Sequence, residues 1–592
     1  MIKTIPAMNK SIRNPKQDIK WVSTPFPETE MTDSLLSSVQ NLHPIVASLL
    51  VQRGVDTFEK VRDFFNPTMD LMENFNPMLG LEKATERVLL ALDKNEKILL
   101  YGDYDVDGTC SVAMLYLFLK SLHADVSYYI PDRYSEGYGL SESGVRHAAE
   151  IRANLVITID CGITAVERVR EGNEIGLEFI ICDHHLPGRE LPGAFAILNP
   201  MQSGCDFDGK ELCGCGVGLM LVKSICEKRN LPEKTWQYYL SYAAVATCCD
   251  IVPLTGINRA IVHEGMRWLG ENPPVGLFAL LKIAGHEGPS LSVSDIVFKI
   301  GPRINAAGRL THAHTALELL IESDPGKAAV LAAGIEKLNL ERRTMDKSIT
   351  AEAVEKMREM DPEESLNVTV VHHAGWHKGL IGIVASRLTE VCYRPTVVLT
   401  ESNGMLTGSA RSVDGFNLFE AIESCSASLV QFGGHKAAAG LTMRPENLEE
   451  FISLFDRAAA NGLGAEGKIP RLNIDLELEL IDWYNQKVSV FTKQLSRMQP
   501  FGPCNSEPVF YSKRCIAKYP QILKNEHLKF SVFPPSHPTS LIPVIAFQQA
   551  RHYEQMMDGH PFTLAYTITE RTWKERTSIQ LEAKGIRFED HP

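Results

Sequence analysis

Residues 97–109 (KILLYGDYDVDGT) constrain the fold more than any other stretch of the sequence. The apolar run 98–101 predicts a buried strand, and the apolar segment 111–122 predicts a helix after the intervening loop. That loop carries three carboxylates within five residues: Asp103, Asp105 and Asp107. Like charges this close repel one another and raise each other's pKa, so the end of this strand calls for a counter-charge.

Two interpretations of the acidic loop follow from its residues. In the first, the loop binds a divalent cation, since Asp oxygens suit Mg²⁺ or Mn²⁺. In the second, it is a solvated acidic turn or the N-cap of the following helix. An EF-hand is disfavoured because no Glu occupies the twelfth position of the loop.

Bulk properties limit the class of protein. A chain of 592 residues with 44% hydrophobic and 22% charged residues predicts a globular protein of roughly three to five domains. No apolar run is long enough to span a membrane, and residues 1–17 lack the apolar core of a secretory signal. The 13 cysteines are scattered, without the spacing of a zinc site, which predicts reduced thiols in the cytoplasm. The net charge of −13 argues against coating duplex DNA, but it leaves a local basic groove open.

Residues 81–255 alternate between strand and helix patterns, which predicts a parallel sheet with helices on both faces. The expected strands are 98–101, 125–130, 155–159, 179–182 and 194–198. Ligands of such sheets gather beyond the carboxyl ends of the strands.

Polar side chains stand where these apolar runs end: Asp132 and Arg133, Asp160, Asp183 with His184 and His185, and Asp250 after the helical segment 239–249. A single Asp in such a place is a capping residue by default. Several that converge on one sheet edge beside imidazoles predict a dinuclear metal site.

Three further segments combine small residues with cations. Residues 300–310 contain Arg303, Asn305 and Arg309, and Arg makes bidentate contacts to phosphate, although a helix-terminal Arg in solvent is the alternative. Residues 408–412 and 432–440 join glycines to Ser409, Arg411 and the Gly434-His435 pair. Either segment alone would be a turn, but two in one small unit suggest a platform for substrate phosphates.

The rest of the chain divides by composition. Residues 1–80 predict an N-terminal cap, and 256–365 a helical connector with one or two long helices over 325–360. Residues 366–465 predict a second, smaller α/β unit. Short alternating segments over 470–592 predict a β-barrel, whose interleaved aromatic and cationic residues suit stacking of bases above a phosphate track.

Together, GDYDVDG, TIDCG, the Asp-His-His triplet, the DIVPL segment and GGHKAAAG resemble the DHH phosphoesterase superfamily. With GPRINAAGR and the terminal barrel, their order is similar to that of the bacterial single-strand-specific DNA exonucleases in that superfamily. The resemblance implies an α/β fold. A parallel-sheet DHH catalytic domain (81–255) is joined by long helices to a smaller α/β DHHA1 domain (366–465), and a C-terminal OB-fold barrel (470–592) follows.

The resemblance also assigns residues. It makes His185 a catalytic residue, and it places two Mn²⁺ or Mg²⁺ ions among the side chains of six further residues: Asp103, Asp105, Asp107, Asp160, His184 and Asp250. Many relatives carry His at the position of Tyr101. Since tyrosine is a poor ligand at neutral pH, we expect Asp105 and Asp107 to bind metal before Asp103.

The DNA contacts implied by the resemblance lie outside this acidic set. Arg133, Arg303 and Ser409 would hold the 5′-terminal phosphate, and Arg411 and His435 would contact the strand near the scissile bond. Asn305, Arg309 and Gly434 belong to the same motifs.

The implied activity is two-metal 5′→3′ hydrolysis of single-stranded DNA to 5′ mononucleotides, in recombination and repair. The resemblance further implies a cytoplasmic monomer, with a single-strand-binding protein and a RecQ-type helicase as partners. Two alternatives are a DHH phosphodiesterase of short oligonucleotides or cyclic dinucleotides, and a non-catalytic single-strand-binding scaffold for replication. The first would not need the barrel and connector, and the second would not need the complete acidic set.

Overall fold

The computed structural model describes residues 19–286, 288, 291–361, 365–464, 467, 469–480, 490–573 and 576–588. The chain forms two compact units. One comprises Phe26–Leu340 and Val488–Glu507, and the other comprises Met1–Pro25, Glu341–Lys487 and Pro508–Pro592. We call them the acidic unit and the barrel unit. No helix in the described ranges is long and apolar enough to cross a lipid bilayer.

The strands, in chain order, are β1 (Lys20–Ser23), β2 (Ile98–Tyr101), β3 (Val126–Tyr129), β4 (Leu155–Ile159), β5 (Glu178–Cys182), β6 (Ala196–Leu198), β7 (Thr369–His372), β8 (Thr396–Ser402), β9 (Met405–Arg411), β10 (Gln431–Gly434), β11 (Ala438–Met443), β12 (Arg471–Ile474), β13 (Leu476–Glu477), β14 (Phe510–Leu523), β15 (His527–Phe533), β16 (Ile542–Ala546), β17 (Phe562–Trp573) and β18 (Arg576–Phe588).

The α-helices of the acidic unit are Thr29–Ser38, Pro44–Gln52, Phe58–Phe65, Leu81–Asp93, Val106–Ser121, Glu142–Glu150, Val166–Glu174, Gly214–Lys228, Lys234–Gln237, Leu240–Cys249, Gly256–Glu271, Val275–Ile283, Val293–Asp295, Gly301–Leu310, His314–Ile321 and Val490–Arg497. The helix Pro325–Met360 belongs to both units. The α-helices of the barrel unit are Ile381–Cys392, Leu418–Glu423, Leu448–Gly462 and Tyr553–Met557.

The sheet of the acidic unit has the order β3-β2-β4-β5-β6, and all its strands are parallel. Alternate residues of β2 face opposite sides: Ile98 and Leu100 join one apolar cluster, whereas Leu99 and Tyr101 join another. Helices such as Val106–Ser121 cover the first side and helices such as Glu142–Glu150 the second. The predicted parallel sheet with helices on both faces is therefore confirmed.

Strand order makes one edge of this sheet special. The chain passes from β2 to β3 on one side and then crosses to β4 on the other side of β2. A crevice opens beyond the carboxyl ends of the strands where the order reverses in this way, and such crevices are where open parallel sheets bind ligands. The acidic loop after β2 and Asp160 after β4 both lie there.

The helix after the acidic loop begins at Val106, five residues before the predicted start, so Asp107 and Gly108 lie within its first turn. The helix begins there because Asp105 is its N-cap. The Asp105 side chain accepts a hydrogen bond of 3.0 Å from the Gly108 N–H. Within the connector, the long charged pattern forms the single helix Pro325–Met360, as predicted.

The barrel unit contains a five-stranded sheet in the order β10-β11-β9-β8-β7, parallel only between β7 and β8. The segments 408–412 and 432–440, either of which alone would suggest a turn, lie mostly in β9, β10 and β11. Small residues permit close packing in these strands, since a Cβ on Gly408 would lie 2.5 Å from Leu399 Cδ2.

Strands β14, β15, β16, β18 and β17 pair in that order, and β17 pairs back to β14. This ring of pairings is the predicted C-terminal barrel. Strand β13 adds to β14, and β1 pairs in parallel with β12. No pattern in the sequence predicts β1, because its partner lies about 450 residues away and β1 is only four residues long.

Two glycines of the acidic unit give a matched test of its helix packing. A Cβ on Gly265 would lie 2.3 Å from the Leu240 carbonyl oxygen, whereas one on Gly334 would meet nothing within 4 Å. We expect Gly265→Ala to lower the free energy of unfolding by about 2 kcal/mol through overpacking. Gly334→Ala, in an exposed helix interior, should raise it by about 0.5–1 kcal/mol. Urea unfolding measures both, and equal effects would contradict the packing.

Candidate metal centre

The three acids after β2 have distinct environments. Asp103 and Asp107 are buried, and Asp105 is half-buried while it caps the following helix. Because Asp107 lies in the first turn of that helix, its carboxylate projects from a fixed backbone. The tight passage of the chain also requires Gly108, where a Cβ would lie 2.5 Å from the Asp103 nitrogen.

The N-terminus of the helix Gly214–Lys228 holds the Asp107 carboxylate. The Gly214 N–H donates to Asp107 Oδ2 at 2.6 Å and the Cys215 N–H donates to Oδ1 at 2.8 Å. Unpaired N–H groups and the helix dipole favour a negative charge at this position. The glycine-rich residues 213–218 permit close packing here, since a Cβ on Gly214 would lie 2.6 Å from Asp160 Cβ.

His184 lies among three acids that come from different elements. Its Nε2 is 3.2 Å from Asp160 Oδ1, 3.6 Å from Asp250 Oδ2 and 3.9 Å from Asp107 Oδ2. Asp160 follows β4 with a left-handed φ of 61°, and Asp250 is the C-cap of the helix Leu240–Cys249. The structure thus brings the predicted acids and His184 together at one sheet edge.

Ligand atoms in this cluster form overlapping triads in which all three atoms lie within 4.8 Å of one another. One triad is Asp103, Asp105 and Asp160, and another is Asp107, His184 and Asp250. A third joins Asp160 and His184 to His185.

Four buried atoms of the cluster have no hydrogen-bond partner among the described residues: Asp103 Oδ1, Asp160 Oδ1, His184 Nε2 and Asp250 Oδ2. An unpaired buried polar atom is costly, and native structures contain few of them. Carboxylate oxygens and an imidazole nitrogen gathered in this way fit divalent cations such as Mn²⁺ or Mg²⁺.

Electrostatics support the same fit. Burial, with repulsion from neighbouring carboxylates, raises the pKa of Asp103 and of Asp160 well above the ordinary range. The same two causes raise the pKa of Asp250 to about 9. Burial lowers the pKa of His184 despite the nearby Asp107 charge, which favours the neutral imidazole that metals bind.

Asp183 and His185 form a separate pair beside the cluster. Asp183 accepts hydrogen bonds from the Ile163 and His184 N–H groups, and its Oδ1 is 2.8 Å from His185 Nδ1. Burial alone would lower the pKa of His185, but the hydrogen bond and charge of Asp183 raise it overall. Tyr138, which no motif in the sequence singles out, also contacts this pair: its hydroxyl is 3.0 Å from His185 Nδ1 and 3.2 Å from the Asp160 carbonyl oxygen.

Tyr101 faces away from the acids. Its hydroxyl donates to the Gly139 carbonyl oxygen at 2.9 Å and accepts from the Ser141 N–H at 3.1 Å, and its ring stacks on Tyr129. Burial raises the pKa of this phenol far above its ordinary value. Tyr101 therefore supplies no ligand to the cluster.

Two predicted DNA-binding arginines lie beside the acidic loop. The Arg133 guanidinium lies 4.7 Å from the ring centroid of Tyr104. Burial and Asp103 raise the pKa of Tyr104 to about 12, and the charges of Arg133 and Arg309 oppose this rise. The Tyr134 hydroxyl also donates to the Arg309 carbonyl oxygen.

Arg303 has a different environment. It is buried, forms an ion pair of 2.6 Å with Glu336, and donates to the Lys299 carbonyl oxygen. Asn305 is half-buried on the same helix.

The remaining predicted DNA contacts are in the barrel unit. The Arg411 guanidinium donates to Ser409 Oγ at 2.9 Å and to Ser386 Oγ at 3.2 Å. Gly434 ends β10 with a φ of 147°, and the exposed His435 follows it. Strands β9, β11 and β10 are adjacent, so the sheet brings the four predicted contacts into one region: Ser409, Arg411, Gly434 and His435.

Comparison with known families matches three stretches of the chain to domain families. Residues 97–247 match the DHH family N-terminal domain, 364–461 match the DHHA1 domain, and 474–585 match the RecJ OB domain. The matched domains follow one another in the predicted order: DHH, DHHA1 and OB.

Similar proteins give the same result. The single-stranded-DNA-specific exonuclease RecJ of Bacillus subtilis is 36% identical over 559 residues, which are 93% of this chain and 69% of that protein. The chain belongs to the RecJ family. The crystal structure of Thermus thermophilus RecJ with Mn²⁺ matches with a TM-score of 0.81 and 27% identity, covering 97% of this chain and 80% of that one. Its Mg²⁺ complex matches with a TM-score of 0.75, 25% identity and coverages of 97% and 79%.

A pH-dependent metal effect follows from the raised pKa values. Without metal, these carboxyls bind protons more tightly in the folded than in the unfolded chain, so stability falls as pH rises from about 4 toward 9. We therefore expect the chelated protein to have a lower Tm at about pH 8.5 than at about pH 6. Added Mg²⁺ should remove most of this difference. Asp250→Asn should reduce the pH dependence, and an unaltered dependence would reject the assignment.

Proposed function

We propose that this protein is a metal-dependent exonuclease that hydrolyses single-stranded DNA from its 5′ end and releases 5′ mononucleotides. The observation that carries the proposal is the group of overlapping ligand triads at the switch point of a parallel sheet. Four buried atoms of these triads have no hydrogen-bond partner among the described residues. Membership of the RecJ family supports the substrate and its single-strandedness.

Two cations, Mn²⁺ or Mg²⁺, fit these triads. Asp103, Asp105 and Asp160 would hold one, and Asp107, His184 and Asp250 the other. When bound, such a pair lowers the pKa of the attacking water and stabilises charge on the scissile phosphate and its leaving 3′ oxygen.

The chain's own groups prepare the site for that chemistry. The two N–H donors of Gly214 and Cys215 fix the Asp107 carboxylate before any ligand binds. Asp183 orients the His185 ring, whose side chain remains 44% exposed. His185 is therefore placed to hold or transfer a proton at the edge of the site.

Degradation that starts at the 5′ end of a strand requires the protein to recognise that end. Arg133 lies beside the acidic loop and is only half-buried, so its guanidinium is available to a terminal phosphate. Arg303 and Ser409 are further members of the proposed phosphate site, and Asn305, Arg309, Arg411, Gly434 and His435 are proposed to contact the strand.

The barrel would bind longer strands. Tyr519 is 66% exposed with Lys518 Nζ 5.2 Å from its ring centroid, which suits a stacked base beside a phosphate. Phe510 and Phe530 are buried instead and belong to the barrel core.

The 13 cysteines of the chain are all unpaired, which agrees with a reducing compartment such as the cytoplasm. A role in recombination and repair, a monomeric state, and partnership with a single-strand-binding protein and a RecQ-type helicase are part of the same proposal.

Digestion of end-labelled DNA tests the function directly. We expect the protein to degrade single-stranded but not double-stranded DNA from the 5′ end with Mn²⁺ or Mg²⁺, and to be inactive with chelator. Asp160→Ala should lower kcat at least a thousandfold, since it removes a ligand at the reacting centre. Asp125→Ala, an exposed acid at the opposite end of the sheet, should retain activity. Full activity of Asp160→Ala with Mn²⁺ would contradict the site.

The 5′-phosphate site has its own test. Arg133→Gln should lower the preference for 5′-phosphorylated over 5′-hydroxyl ends about tenfold, because a charge-assisted bond to phosphate is lost. Arg146→Gln is the matched control, since Arg146 pairs with Glu142 on an exposed helix surface. Competition between the two substrates gives the ratio directly. An unchanged ratio for Arg133→Gln would remove Arg133 from the phosphate site.

A further inference from the structure

The helix that supplies Asp250 ends in an unusual way. After the C-cap Asp250, the next residue, Ile251, has a left-handed φ of 63°. Helices commonly end with a left-handed residue at this position, and that residue is usually Gly. A side chain branched at Cβ is a genuine outlier in this conformation because its Cβ crowds the following carbonyl.

The rest of the chain avoids this combination. Among the described residues other than glycine with positive φ, Ile251 is the only one branched at Cβ. Five of the others lie directly after a helix or after its C-cap, and none of them is branched at Cβ: Asn95, His123, Arg152, Asn230 and Tyr393.

Packing within the protein does not account for Ile251. Its side chain is 79% exposed, whereas Val252 packs against the core and Leu254 is buried within it. Glycine would complete the same turn without the steric conflict. The branched apolar side chain of Ile251 therefore stabilises neither the backbone conformation of this turn nor the packing of the core.

The position of Ile251 supplies a reason. Consecutive Cα atoms are about 3.8 Å apart, so Ile251 adjoins Asp250, whose Oδ2 is 3.6 Å from His184 Nε2. Leu186, directly after His185, is a second exposed apolar side chain, with 73% of its surface accessible. Ile251 and Leu186 are thus exposed apolar residues that directly follow Asp250 and His185 in the chain.

We propose that Ile251 is a substrate-contacting residue, whose side chain packs against the sugar or base of the nucleotide adjoining the scissile phosphate. The inference rests on the proposed nuclease function. Apolar contact with a sugar or base face is independent of sequence, as degradation of a whole strand requires. Local strain that the folded chain does not need is characteristic of sites where a side chain acts on a ligand.

Three variants separate contact from strain. Ile251→Gly and Ile251→Asn both tolerate the left-handed conformation but remove the branched apolar group. We expect each to raise Tm by about 1–2 °C and to raise KM for a 5′-phosphorylated single strand about tenfold. Ile251→Val keeps both the branch and the apolar surface, so its Tm and KM should stay near those of the wild type.

His123→Gly is the matched control, because exposed His123 has the same φ of 63° after another helix. It should change Tm less than Ile251→Gly does, because an unbranched His is less strained at this φ, and it should leave KM unchanged. The Mn²⁺ concentration that gives half of the maximal rise in Tm is measured for every variant. Substitutions of Ile251 should leave this concentration unchanged.

Each other outcome decides against the inference. An unchanged KM in Ile251→Gly and Ile251→Asn would overturn the contact. A change in the half-maximal Mn²⁺ concentration would show instead that Ile251 acts by positioning Asp250. If the wild-type protein does not hydrolyse single strands at all, the proposed function fails. If the wild-type protein hydrolyses single strands but the variants show the same KM as the wild type, only the Ile251 contact fails and the proposed function stands.

Discussion

The interaction between the Asp107 carboxylate and the N-terminus of the helix Gly214–Lys228 underlies the whole acidic centre. Two short N–H···O bonds hold one charge in place, and the helix dipole offsets part of it. Burial, with repulsion from neighbouring carboxylates, raises the pKa values of Asp103, Asp160 and Asp250. A folded chain with these groups is consequently poised to exchange protons for divalent cations.

The fold makes this crowding unavoidable. Strands β2, β4 and β5 run parallel, so the residues that follow them meet at one edge. The reversal of strand order at β2 opens that edge to a ligand. Helix ends complete the ring, since Asp250 comes from a helix C-terminus and Asp107 from a helix N-terminus.

The sequence was sufficient to predict the elements that local patterns encode. Strands β2 and β4 begin and end at the predicted residues, and the acids after them lie together. It was insufficient where the partner is distant or where two elements share a composition. Glycine-rich β9 to β11 resemble turns until their pairing is known, and the bond between Asp107 and Gly214 joins residues 107 positions apart. Tyr138 gave no signal because a tyrosine near glycines has no motif of its own.

Buried acids elsewhere in the chain show what is particular to this centre. Asp361 is buried beside Arg394 at 2.8 Å, and Asp346 is buried beside Arg387 at the same distance. Burial would raise the pKa of Asp361, but hydrogen bonds from Ser365 and Arg394 lower it overall. This chain therefore supplies a cation from a side chain where a buried acid is structural. At Asp103 and Asp160, by contrast, one buried oxygen of each carboxylate has no hydrogen-bond partner in the described part of the chain, and a bound divalent cation would supply the positive charge.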